Sequence, residues 1–171
     1  MTKLVPQNHP ALHSIAEEVT PEEFADGTVT KIIKAMHKAM ATYNAEGYIA
    51  VAIAAPQIGV AKRIFLISDQ SKDRDPKDQI PDLVAINPRI TNWSKKTKVL
   101  GEGCLSLPDY YGTVRRSTNV NFTALDEHGK EYSRGTGGLL AQIIQHECDH
   151  LDGTLFIDRA EDVYYKDELQ R

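Results

Sequence analysis

A chain of 171 residues is long enough for one domain with its own core, and 41% hydrophobic with 26% charged residues excludes both a disordered polyelectrolyte and a membrane-embedded chain. The formal net charge of −4 argues against a general affinity for DNA or RNA. Cys104 and Cys148 are too few for a disulfide framework, no run of about 18 apolar residues stands out, and no leader pattern opens the chain, so a cytoplasmic protein is expected.

Pro6 and Pro10 hold the first residues extended. Thr20-Pro21-Glu22-Glu23 carries the marks of a helix start, with Asp26-Gly27 as an interruption and Thr28 as a second cap. Val29, Ile32, Ile33, Met36, Met40 and Tyr43 then recur at three- and four-residue steps, predicting one amphipathic helix that Gly47 ends. His37 and His128 read as ordinary packed or solvent-facing histidines. Between Ala50 and Gly59 small residues dominate, leaving room for another backbone or a ligand, and Gln57 alone there offers both a donor and an acceptor.

Arg63–Ser68 predicts a strand, residues 69–81 a solvated loop, and Leu83–Asn87 a strand closed by Pro88. Residues 89–100 predict a further strand pair in which Trp93 packs, and residues 119–135 a hairpin turning at Glu127–Lys130. With no repeat and no internal boundary, residues 1–171 are expected to form one α+β domain. Antiparallel or mixed sheets would pack around a C-terminal helix, with the amphipathic helix near the N-terminus and residues 160–171 as a short acidic tail.

That C-terminal helix opens at Gly137-Gly138, stops at Gly153 and carries His146-Glu147-Cys148-Asp149-His150. Two histidines four residues apart lie about 40° apart around a helix, so both imidazoles can reach one metal ion. Glu147 flanks the same face, where a carboxylate can take a proton from water beside the metal. Cys148 lies about 200° around from His146 and is expected in the core. A catalytic site needs a third ligand and one open position. The extended histidine pattern would place that ligand at residue 156, which is Phe156, and downstream carboxylates are confined to Glu161 and Glu168. Cys104, a thiolate donor between Gly103 and Leu105 in a glycine-flanked segment, is the better candidate.

Taken together, Ala50 to Gln57, Glu102 to Ser106 and His146 to His150 resemble the three motifs of the peptide deformylase family, G-φ-G-φ-A-A-P-Q, E-G-C-L-S and H-E-x-D-H, in that order. The resemblance implies that Cys104, His146 and His150 hold one divalent ion, Fe²⁺ natively with Zn²⁺, Ni²⁺ or Co²⁺ as replacements. It implies a hydrolase that removes the formyl group from N-formylmethionyl nascent peptides and releases formate. Glu147 would act as general base and then acid on metal-bound water attacking the formyl carbon, while the Gln57 amide and the Leu105 N–H stabilise the oxyanion. Val51, Ala52, Leu139 and Ile143 would contact the substrate, with Arg116 reaching its backbone. A monomer is expected.

Three departures from the family pattern stand out. Ala50 and Ala52 replace both motif glycines, and where Ala52 pairs with substrate backbone as the glycine does, its methyl would narrow the cleft. Gln142 sits where an apolar residue is expected and would loosen the methionine preference. The acidic tail differs from the basic C-terminal helix with which some members dock transiently on the ribosome. A metallopeptidase with a ligand downstream of His150 is the rival enzyme. A non-catalytic binder of capped N-termini and a structural metal clip could also be built on such a helix.

Overall fold

Glu23 accepts a hydrogen bond from the Thr20 N–H at 2.9 Å, so the first helix, α1 (Pro21–Ala25), starts on the expected capping box. The computed structural model describes residues 3–43, 50–69 and 80–168. Gly27 turns the chain at φ 79°, and α2 (Thr28–Thr42) follows. Its first amide is capped by Asp26, whose carboxylate accepts from Thr28 N–H at 2.8 Å; Thr28 is the first helical residue rather than the cap. The helix ends at Thr42, and Gly47 lies outside the described residues.

Strand β1 (Ala52–Ala54) pairs with β2 (Ile64–Ile67), which continues to β3 (Leu83–Trp93), β6 (Asn119–Leu125) and β7 (Glu131–Gly137) in one five-stranded sheet. All its neighbouring pairs are antiparallel. The four residues of β2 are all buried because the sheet is covered on both sides. Ile64 and Leu66 join α2 residues Ile32 and Met36 in one apolar cluster. Phe65 and Ile67 join Phe122 and the helix residues Ala141, Ile144 and Cys148 in another. Alternation along a strand therefore produces no polar face here, since each face meets a helix. Residues 70–79, most of the expected solvated loop, lie outside the described residues.

Pro88 does not close β3. Asn87 adopts φ 51° and the register slips between Ile86 and Arg89, a bulge that lets a residue without an N–H sit inside the strand. The Asn87 amide bonds the backbone of Val19 in both directions, at 2.8 and 2.9 Å, and so ties the N-terminal segment to the bulge. Trp93, expected to pack, is 55% exposed at the very end of its strand.

A second sheet, in the order β4 (Thr97–Cys104), β5 (Leu107–Ser117) and β8 (Asp162–Tyr165), stands beside the first. The stretch after Arg159 is thus not merely a tail: β8 pairs with β5, and Lys166 binds Asp109 at 2.6 Å. Gly112 makes the pairing possible, since a Cβ there would lie 2.7 Å from the Asp162 carbonyl. The last helix, α3 (Gly138–Leu151), begins at Gly138 with φ 60°, and Gly153 (φ 71°) turns the chain after it.

Candidate metal centre

Helix α3 buries Ala141, Ile144, Cys148 and Leu151 against the five-stranded sheet, which turns His146 and His150 toward the end of β4. The β4–β5 register shifts between Gly103 and Cys104, so Cys104 pairs with Leu107 and is presented to the helix rather than continuing the ladder. The donor atoms of Cys104, His146 and His150 all lie within 4.8 Å of one another. Cys104 Sγ and His150 Nε2 are 3.2 Å apart. Burial works against ionising the Cys104 thiol, but the His150 and His146 imidazoles outweigh it and hold the thiol well below its ordinary range. That favours the thiolate, the form that ligates a metal.

A buried set of charges holds this triad in place. Glu102 accepts from His146 Nδ1 at 2.9 Å, which leaves the other ring nitrogen for the cysteine side. Arg116 grips the same carboxylate with Nε at 2.8 Å and Nη2 at 2.9 Å, and its Nη1 reaches Asp149 at 2.6 Å. Asp149 also receives Arg159 at 3.0 Å. Arg116 therefore corrects the sequence expectation: it lies 4% exposed beneath the histidines, away from the cleft lining, where these two carboxylates pair its buried charge. The roles of Glu102 and Asp149 went unread in the sequence. The available signal was Asp149 on a mostly apolar helix and Glu102 beside a glycine-flanked cysteine, both needing a cation if buried.

Glu147 is 4% exposed, and its Oε2 has no hydrogen-bond partner among the described residues. Burial pushes its carboxyl up to about 7, against the pull of the two imidazoles. Gln57, at the end of the small-residue segment, is fixed by accepting from Ala54 N–H at 2.8 Å. Its Nε2 then lies 3.1 Å from Ser106 Oγ and 3.5 Å from Cys104 Sγ.

These groups open on one cavity of about 320 Å³. Val51 and Ala52 line it from the β1 side and Gly101, Glu102, Gly103 and Cys104 from β4, while α3 contributes Leu139, Gln142, Ile143, His146 and Glu147. Leu105 and Gln57 complete the wall, together with Tyr111, for which no sequence pattern pointed to the cleft. Ala50 is buried in the α2 cluster instead. The downstream ligands that a metallopeptidase would need are placed elsewhere. Phe156 stacks on the His146 ring at 6.3 Å, Glu161 binds Arg115 on the surface, and Glu168 ends a short turn beyond β8. Cys148 is buried on the core face, and burial raises its thiol to about 12.

Two imidazoles, one thiolate and an orphaned carboxyl oxygen beside them suit a borderline divalent ion such as iron, zinc, nickel or cobalt. Three protein ligands beside an open cavity are the arrangement of a catalytic rather than a closed structural site. In fold and donor set this is the arrangement of an HExxH-type metal centre, with a candidate third donor, Cys104, supplied by a sheet.

Comparison with known proteins gives the family. The polypeptide deformylase model matches residues 1–165, and this chain belongs to that family. It is 37% identical over 169 residues to the chloroplastic peptide deformylase 1A of Solanum lycopersicum, covering 93% of this chain and 59% of the relative. With a peptide deformylase of Synechocystis sp. it shares 39% identity over 136 residues, 80% of this chain and 68% of the relative. The class I type b enzyme of Acinetobacter baumannii with Met-Ala-Ser bound superposes with a TM-score of 0.81 at 32% identity, covering 91% of this chain and 96% of that one.

Proposed function

We propose that this chain hydrolyses the formyl amide of N-formylmethionyl nascent peptides, releasing formate and a free amino terminus. The observation that carries the reading is the convergence of Cys104, His146 and His150 within 4.8 Å, beside a buried glutamate with an unpartnered oxygen. Family membership and the Met-Ala-Ser complex of the Acinetobacter baumannii neighbour support the substrate class.

β1 and β4 are both edge strands, and both line the cavity. An extended peptide entering between them meets two strand edges, each paired to a described strand on its other side alone, which orients its first residue without regard to later sequence. Ala52 adds a methyl to one of those edges. Leu139 and Ile143 supply apolar surface for the methionine side chain. Cys104, His146 and His150 would hold a divalent ion, which would supply Lewis-acid chemistry at this end of the cavity. Glu147 takes the proton from the attacking water and returns it to the leaving nitrogen, a task suited to a carboxyl titrating near neutrality. Gln57 Nε2 and the Leu105 N–H donate to the oxygen as charge develops on it.

Fe²⁺ as the native ion, with Zn²⁺, Ni²⁺ or Co²⁺ in its place, a monomeric state and residence in the cytoplasm complete the proposal. Among the described residues no helix is long and apolar enough to cross a membrane. The test is formate release from formyl-Met-Ala-Ser by anaerobically iron-loaded protein. Glu147→Ala is the control, and release no greater than that control would overturn the reading.

A further inference from the structure

The polar side chain in the methionine slot has a defined orientation. Gln142 Nε2 lies 2.9 Å from the Gly101 carbonyl and 3.3 Å from Glu102 Oε1. Both neighbours are acceptors: a carbonyl has no hydrogen to give, and Glu102 Oε1 already accepts from Arg116 Nε at 2.8 Å. The amide must therefore present its nitrogen to them, which fixes which end is which. Both of its hydrogens are committed to β4 and to the carboxylate behind His146. Its carbonyl oxygen has no hydrogen-bond partner among the described residues, and the half-buried side chain lines the cavity between Leu139, Ile143 and His146. The slot thus combines apolar walls with one fixed acceptor.

We propose that Gln142 Oε1 is a specificity-determining acceptor, and that the cleft takes formyl-peptides whose first side chain is methionine-sized and ends in a hydrogen-bond donor as well as purely apolar ones. This rests on the deformylase reading and deepens it. Methionine's thioether has no hydrogen to give, so it covers Oε1 without replacing the water lost from it, whereas a hydroxyl or amide at the same reach satisfies it. A wholly apolar wall would reverse the preference, because the donor would then be buried unpaired.

Formyl-norleucine-Ala-Ser and formyl-5-hydroxynorvaline-Ala-Ser differ only by a terminal methyl against a hydroxyl. The norleucine-to-hydroxynorvaline ratio of kcat/KM is expected to rise about tenfold from the wild type to Gln142→Leu, the scale on which one satisfied or unsatisfied polar group discriminates. Gln142→Met, closer in shape, should shift it the same way. A ratio unchanged in both variants while formyl-Met-Ala-Ser is still cleaved overturns this inference alone. Loss of formate release by the wild type removes the deformylase reading and this one with it. Should neither variant fold, the deformylated peptides serve as competitive inhibitors of the wild type. The hydroxyl peptide is expected to inhibit at least as well as the norleucine peptide, and inhibition about tenfold weaker overturns the inference.

Discussion

Glu102 Oε2 lies 2.9 Å from Nδ1 of His146, so one metal-site imidazole is oriented by a carboxylate that comes from the same strand as the cysteine. Arg116 clamps that carboxylate from behind and anchors it to Asp149 on the helix. One buried cation thus connects β4, β5 and α3 at the point where the three proposed ligands meet.

Removing the carboxylate should separate positioning from ligation. Glu102→Ala leaves Arg116 buried with only Asp149, and is expected to destabilise the fold by about 3–5 kcal/mol. Glu102→Gln keeps the shape and one acceptor, so the stability loss should be smaller while metal affinity still falls about 10–100-fold. Chelator competition and thermal unfolding, run on both variants, give the two numbers independently.

The same residue governs a pH response. Burial opposes Glu102 ionisation, but hydrogen bonds from Arg116 and His146 win and bring it down to about 2, from an ordinary value of 4.5. A folded-state pKa below the unfolded one contributes stability that is fully present above pH 4.5 and is lost as the pH falls toward 2. Urea unfolding of the metal-free protein should therefore show a steeper loss between about pH 5 and 3 in the wild type than in Glu102→Gln. Parallel slopes would show that the pair carries no linkage.

The two cysteines should differ sharply in chemistry. Cys104 is held toward the thiolate at the cavity wall, whereas burial lifts Cys148 to about 12 on the core face. A thiol reagent at neutral pH is expected to label Cys104 in metal-free protein, to leave Cys148 untouched, and to lose Cys104 as well once zinc is added. Mass spectrometry of the labelled peptides reads all three outcomes.

Gln57→Leu should lower kcat about 10²–10³-fold with a much smaller change in KM, since a donor aimed at developing charge acts in the transition state rather than in binding. A purely structural Gln57, bound to Ala54 and Ser106, would instead show its loss in unfolding temperature.

What could be read from the chain was whatever depends on near neighbours. The α3 histidine pair follows from the 3.6-residue period, the α1 start from a capping box, and the β6–β7 hairpin from alternation around Glu127–Lys130. The misplacements share one cause. Pro88 lies inside a strand because Asn87 absorbs the bulge through contacts with Val19, 68 positions earlier in the chain. Arg116 could be matched to a motif but not to a neighbour, because its carboxylates lie 14 and 33 positions away.

By itself the sequence determined the donor chemistry: two imidazoles on one helix face, a glutamate beside them, and a cysteine in a segment with room for it. The tertiary structure alone decided which charges would be buried together and which strand edges would stay open. Periodicity and capping act over a few residues, whereas desolvating a charge is tolerable only where a distant partner arrives, and that partner is chosen by how the sheets and helix pack.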